Sequence, residues 1–562
     1  MSRARISVIA SIAAATAIHA VSTVPAYTQS KPDLVVLIAI DQFSASLFNQ
    51  WRGRFKSGLK RLTDEGIVYS NAYQSHGLTE TCAGHSTMLT GKHPRGTGIV
   101  ANEWFDTKAG DQVYCVEAPA FSSASNPNRH VGPTNLLATT LGDWMKDQQP
   151  MSRVVAVSGK DRASIAMAGH RGDGVFWYDD KFGFTTYLAA GEDATAKLAP
   201  LAKLNVKIKA ETASPPPWTY SEGSCRALEA DYQFGATTWH SKLPPENPSG
   251  ANIRPVHLID PYTMEAARTL ADHFRLGRGG VTDLLAVSLS ATDFVGHGYG
   301  TQGPEMCDQL YRLDGQIGAF LTFLDGLGMR VLVVMTGDHG GSDFVERLAL
   351  RGFANARRID SKVLLRAIND ELKTKFSLTA DPLITPDFTQ FYAVDDKKRA
   401  LGEPLRTTVI EAALAILNAR PEVEEAFSLK GSSQPQSEAK RSVRLFSARP
   451  LRPKRDGGTL GRHYCGFQVW DCDRTGRADR FPDGAQRALP QRHRSPYCFL
   501  VARDERTDPN PASGHHHDRA DACEYHRRKA TSEPRWDVFR SRLPWRAKMC
   551  AVGVLLPTFR RA

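Results

Sequence analysis

The chain has 562 residues, with 71 Lys+Arg against 60 Asp+Glu and a formal net charge of +11. Hydrophobic residues at 41%, charged residues at 23% and aromatics at 9% exclude a wholly disordered, collagen-like or coiled-coil chain. The charge is uneven: residues 441–562 hold 26 Lys+Arg and 13 Asp+Glu, leaving 45 against 47 for residues 1–440, so the net charge by itself does not argue for an anionic partner.

Arg3 and Arg5 precede an apolar run at 6–18, and small residues at Val24 and Ala26 fit a cleavage site. This is the pattern of a secretory leader over 1–26, which predicts a periplasmic or secreted product. The run is too short to span a bilayer, and no later segment offers about 18 uninterrupted apolar residues, so stable membrane insertion is not expected. Export puts Cys82, Cys115, Cys225 and Cys307 in an oxidising compartment, where three pairings are open.

Four short, β-branched-rich apolar runs, at 34–40, 154–157, 284–289 and 331–335, read as buried parallel strands. Each ends in a polar cluster: Asp41-Gln42, Gly159-Lys160-Asp161-Arg162, Ala291-Thr292-Asp293 and Gly337-Asp338-His339. Ligands bind outside the carboxyl ends of strands in an open α/β sheet, so the four clusters describe one site. Helical periodicity is expected over 58–66, 266–276 and 307–327, and again over 400–427. Residues 165–260, with Pro215-Pro216-Pro217, Pro244-Pro245, many aromatics and weak periodicity, read as an insertion capping the site. The expected fold is therefore α/β, a mostly parallel sheet flanked by helices, in a domain over 27–430. Residues 431–562 form an anomalous Arg-rich tail, expected to fold poorly.

Asp41, Asp293, His297, Asp338 and His339 are residue types that bind a borderline divalent ion. Asp293 and His297, at i and i+4, can share one helical face, and Asp338-His339 are adjacent at a strand end. Five such ligands are too many for one tetrahedral catalytic zinc with an open position, so two ions sharing them is the simpler arithmetic. The segment 79–91 reads as a loop entering a helix that Gly91 stops. A hydroxyl at that helix start is either an N-cap acceptor or, beside a metal, an alkoxide nucleophile, and the residues alone leave both open.

Together, Asp41, Thr79-Glu80-Thr81-Cys82-Ala83-Gly84-His85-Ser86, Asn102, Lys160-x-Arg162, Asp293-x-x-x-His297 and Asp338-His339-Gly340-Gly341 resemble the alkaline phosphatase superfamily. Within it the chain is similar to the secreted threonine-nucleophile alkaline phosphatases of Sphingomonas and Flavobacterium type, over about residues 32–430. The resemblance implies Thr81 as nucleophile bridging two zinc ions, one held by Asp41, Asp338 and His339 and the other by Asp293 and His297. It also implies that Asn102, Lys160 and Arg162 bind the phosphate oxygens during in-line transfer through a phosphothreonine. The implied substrates are small phosphate esters; no recognisable module or ordered basic face argues for a nucleic-acid partner, and a monomer is expected although the sequence does not fix the oligomeric state. Sulfatases need a Cys-x-Pro-x-Arg setting absent here, and diesterase relatives usually lack the Lys-x-Arg pair suited to a monoester dianion.

The chain departs from that pattern where the leaving-group zinc takes a further His beyond the Asp-His pair. His493 is nearest in register but lacks the family context. Residues 441–562 hold 23 Arg against 3 Lys and no periodicity, the composition of a shifted reading frame in GC-rich DNA, beginning between about Leu429 and Arg449. Coding DNA that encodes the tail in frame would refute the shift. Without that His, an impaired metal- or phosphate-binding relative is the alternative to an active enzyme.

Overall fold

A computed structural model describes residues 31–70, 72–245, 256–353, 356–387, 389–423 and 426–428, and the backbone of 497–498. The leader at 1–26 and the rest of the Arg-rich tail lie outside the described residues.

The central sheet contains β1 (Leu34–Ile40), β2 (Val154–Ser158), β3 (Gly174–Asp179), β4 (Gly183–Thr185), β5 (Asp283–Leu289), β6 (Val331–Gly337) and β7 (Tyr497–Cys498). Their order is β7-β6-β1-β5-β2-β3-β4. β1 pairs in parallel with β5 and β6, β5 with β2, and β2 with β3; the pairings at the two edges, β3 with β4 and β6 with β7, are antiparallel. The four apolar runs are thus the adjacent strands β6, β1, β5 and β2. Alternation of side chains across a strand divides them between two cores. Val36, Ile38 and Ile40 of β1 face the same core as Val287 of β5, whereas Leu37 and Ala39 face the core that holds Ala286.

Helices α1 (Gly58–Glu65), α2 (Thr81–Thr90), α3 (Asp161–Ala168), α4 (Val256–His273), α5 (Ala291–Tyr299) and α6 (Pro304–Gly326) complete the layers. Leu59 of α1, Leu270 of α4 and Leu313 of α6 pack on the first face, and Met88 of α2 with Ile165 of α3 on the second. A smaller core joins α7 (Ser361–Phe376) to α8 (Leu405–Ala419) through Ile368, Leu372 and Val409.

Several boundaries differ from the sequence reading. The helix read at 266–276 begins ten residues earlier, because Pro261 lies inside α4 without ending it. The helix read at 400–427 is limited to α8, which starts after Pro404. The stretch read as a capping insertion, 165–260, supplies β3 and β4 to the central sheet, besides a separate hairpin of Ala230–Phe234 with Thr237–Ser241. The cysteines pair as Cys82–Cys115 and Cys225–Cys307.

Asp314 of α6 fixes the start of α1. Its Oδ2 accepts from the backbone N–H of Lys56 (2.6 Å) and Ser57 (2.8 Å), and its Oδ1 from that of Leu59 (2.7 Å). Asp314→Ala strips three amides of their acceptor and should lower stability by about 2–3 kcal/mol in urea unfolding, because hydrogen bonds to a charged group are the stronger class. A loss below about 0.5 kcal/mol, the scale of an ordinary surface change, would contradict this role.

Candidate active site

Parallel register brings the strand ends level. Ile40 lies opposite both Leu289 and Gly337, so Asp41, Ser290 and Asp338 leave the sheet side by side. Ser290 stands at the N-cap position of α5, whose first turn carries Asp293, and Lys160 stands at the N-cap position of α3, just beyond β2. Asp41, Asp338 and His339 are fully buried, and Asp293 and Lys160 nearly so.

Lys160 Nζ lies 2.6 Å from Asp41 Oδ2 and 2.5 Å from Asp293 Oδ2. His339 Nε2 is 3.2 Å from Asp41 Oδ1, and His297 Nε2 is 3.1 Å from Asp293 Oδ1, one turn along α5. Thr81 Oγ1 sits 3.5 Å from both His339 Nε2 and Lys160 Nζ. It is the first residue of α2: Glu80 occupies the cap position without a side-chain cap bond, so the capping reading of the hydroxyl gives way. Glu80 instead accepts from the Asn102 backbone N–H (2.6 Å), and Asn102 Oδ1 accepts from Cys82 N–H (2.9 Å). Gly91 ends α2 at φ 62°, a left-handed conformation that glycine adopts readily. Arg162 lies in the first turn of α3, its N–H donating to Asp161 Oδ1 at 2.8 Å.

The electrostatics follow from burial opposed by close charge. Burial would raise Asp293, but His297 and Lys160 hold it well below the usual carboxylate range. Burial would likewise raise Asp338, yet His339 and His85 hold it low. Burial would lower the Lys160 ammonium, and Asp293 and Asp41 keep it above its ordinary value. His339, which burial would also lower, is pushed up to about 10 by Asp338 and Asp41.

The donor set fits a divalent metal. Asp41, Asp338 and His339 each offer a ligand atom, all within 4.8 Å of one another. Both Asp41 oxygens and Asp338 Oδ2 are buried without a hydrogen bond of acceptable geometry. Lys160 and His339 approach Asp41 as charges but not along donor directions, leaving lone pairs that a cation would use. Asp293 and His297 add a second pair, and among the described residues no further group of three or more metal-ligating side chains forms around them.

Two neighbours that the sequence analysis names without giving them a role stand in the site. Gln42 donates its backbone N–H to Asp338 Oδ1 (3.0 Å) and its side-chain amide to Asp293 Oδ1 (2.8 Å), tying together carboxylates from two strand ends. It does so at φ 63°, a conformation uncommon for a non-glycine residue and found most often at functional sites. Gly296 and Gly341 make room for it, since a Cβ on either would lie 1.7 or 2.5 Å from the Gln42 side chain. The signal available in sequence was its place directly after Asp41 at a strand end. His85 is the other: Nε2 meets Ser288 Oγ at 2.8 Å, and Nδ1 lies 2.8 Å from the Thr81 carbonyl and 3.1 Å from Asp338 Oδ2.

Residues 35–376 match the type I phosphodiesterase / nucleotide pyrophosphatase family. The chain belongs to that family, within the alkaline phosphatase superfamily. It is 36% identical over 403 residues to alkaline phosphatase PhoK of Sphingomonas sp., covering 71% of this chain and 70% of the relative. It is 38% identical over 405 residues to alkaline phosphatase PhoD of Zymomonas mobilis, covering 70% and 68% respectively. The crystal structure of alkaline phosphatase PafA superposes with a TM-score of 0.62 at 26% identity, covering 73% of this chain and 81% of that one.

A metal at the Asp41, Asp338 and His339 group should stabilise the fold by mass action. A divalent ion at about a hundredfold excess over its dissociation constant should add about 2.7 kcal/mol, seen as a rise in Tm that chelation reverses. Gln42→Leu should weaken that binding by roughly 10- to 100-fold, the effect typical of residues that orient metal ligands. A Tm indifferent to zinc, manganese, magnesium and chelator alike would contradict a metal site.

Proposed function

We propose that this phosphatase hydrolyses phosphate monoesters through a transient phosphothreonine at Thr81, with two zinc ions as cofactors. The observation that carries the reading is the Thr81 hydroxyl, freed from capping at the first position of α2 and 3.5 Å from both Lys160 Nζ and His339 Nε2. Asp41, Asp338 and His339 would hold one zinc and Asp293 with His297 the other, the bound ions lowering the pKa of the Thr81 hydroxyl and stabilising the leaving oxygen.

Thr81 gives up its hydroxyl proton to water as its Oγ attacks phosphorus in line and the bond to the ester oxygen breaks, and the departing alkoxide takes a proton back from water and leaves as the alcohol. Water then attacks the phosphothreonine, releasing inorganic phosphate and restoring the hydroxyl. Lys160, Arg162 and Asn102 face the non-bridging oxygens, with the guanidinium able to engage two at once. The first amides of α2 and its dipole favour the same anion. The Lys160-x-Arg162 pair suits a monoester dianion better than a diester monoanion. Export through the leader at 1–26, action on small-molecule esters and a monomeric state belong to the same proposal. Among the described residues, no helix is long and apolar enough to cross a membrane.

Among the described residues Asp293 and His297 join no group of three metal-ligating side chains, which supports a second reading, an impaired relative that binds the second zinc weakly. Zinc content and turnover of p-nitrophenyl phosphate separate the two. The phosphatase reading expects two zinc ions per chain, with turnover that Thr81→Ala lowers by about three orders of magnitude or more. It also expects bis(p-nitrophenyl) phosphate to be the poorer substrate. One tightly bound ion without turnover would establish the impaired form, and turnover surviving in Thr81→Ala would refute the nucleophile.

A further inference from the structure

The three side chains proposed to bind phosphate come from two separate parts of the chain, and one dipeptide touches both. Asn102 immediately precedes the hairpin of Glu103–Asp106 with Asp111–Tyr114, in which Glu103 lies opposite Tyr114. Cys115 donates its N–H to the Asn102 carbonyl (2.9 Å) and is disulfide-bonded to Cys82, the neighbour of Thr81. Tyr114 reaches the other way. Its hydroxyl donates to Asp161 Oδ1 at 2.7 Å, and Asp161 stands between Lys160 and Arg162.

Both partners of that bond are buried, Tyr114 at 6% and Asp161 at 4% exposure. Asp161 Oδ1 also accepts the Arg162 N–H (2.8 Å), and Oδ2 accepts from Arg129 Nη2 (2.6 Å). The carboxylate is thereby engaged on both oxygens by groups that orient it. A hydroxyl bonded to a buried, ionised acceptor is a short, directional link.

We infer that Tyr114-Cys115 is a positioning element that sets the spacing between Asn102 beside Thr81 and the Lys160-x-Arg162 pair. The inference rests on the phosphate-binding reading of those three side chains. Its role is distinct from theirs: Tyr114 holds the frame in which the phosphate is met from two sides, without touching it. Misplacing a positioned group by about 1 Å is enough for losses near a hundredfold.

The test is a double-mutant cycle on the full chain with zinc supplied, measuring inorganic phosphate binding by calorimetry, zinc content and Tm. Tyr114→Phe removes only the hydroxyl and leaves Asp161 Oδ1 its bond from Arg162. It should weaken phosphate binding by roughly 10- to 100-fold with zinc content unchanged. In an Arg162→Ala background the same change should shrink severalfold, since one of the two groups being positioned is gone. If Tyr114→Phe does not fold, Asp161→Ala, which removes the acceptor instead, must show the same non-additivity. Wild-type phosphate affinity in Tyr114→Phe, alongside weakened binding in Arg162→Ala, overturns the inference alone. An equal loss with and without Arg162 also overturns it, as the mark of general damage. Unchanged phosphate affinity in both Arg162→Ala and Asn102→Ala overturns instead the phosphate-binding reading beneath it.

Discussion

Three buried carboxylates, those of Asp41, Asp293 and Asp338, converge at the carboxyl edge of the sheet, and their mutual repulsion is the constraint to which the neighbourhood responds. At an effective dielectric of about 20, two like charges about 4 Å apart repel by roughly 4 kcal/mol. That is a large part of the whole stability of a typical domain, about 5–15 kcal/mol. Lys160 answers by lying within 2.6 Å of one oxygen of both Asp41 and Asp293, His339 and His297 by approaching their other oxygens, and Gln42 by donating to Asp293 and Asp338. The same arrangement that makes the cluster tolerable makes it able to hold cations and, as proposed, to meet a phosphate dianion.

The fold brings this about with little loop. Because β6, β1 and β5 run parallel in strict register, residues far apart in the chain emerge side by side. α2 then lays the Thr81 hydroxyl against the cluster. Its approach depends on Gly84, where a Cβ would lie 2.6 Å from the Asp338 carbonyl. The Cys82–Cys115 disulfide ties that helix to the hairpin that follows Asn102. The proposed catalytic groups thus rest on rigid elements, which favours precise geometry over adaptability.

Much of this was legible in the sequence, for identifiable reasons. A strand buried on both faces reads as an unbroken apolar run, so β1, β2, β5 and β6 were found to within two residues. β3 carries a comparable run, Val175 to Tyr178, but its aromatics merged with the aromatic stretch that follows, and it was absorbed into the cap. Asp41, Lys160, Asp293, His297, Asp338 and His339 were legible because their types and spacing carry chemistry. Gln42 was not, because an uncharged amide signals little in sequence and its partners lie 251 and 296 positions away. Cysteine pairing and the identity of the cap residue of α2 were illegible for a related reason. Both depend on which residue, here Cys115 or Glu80, stands at a given point in space.

The central claim is that Thr81 receives the phosphoryl group. Acid quenching of the chain during turnover of a phosphate monoester, followed by peptide mass spectrometry, tests it most directly. The account predicts a phosphate adduct on the peptide containing Thr81, localised to that threonine and absent from Thr81→Ala. Sustained turnover with no adduct at Thr81 under conditions that trap the intermediate, or an adduct on another residue, would contradict it.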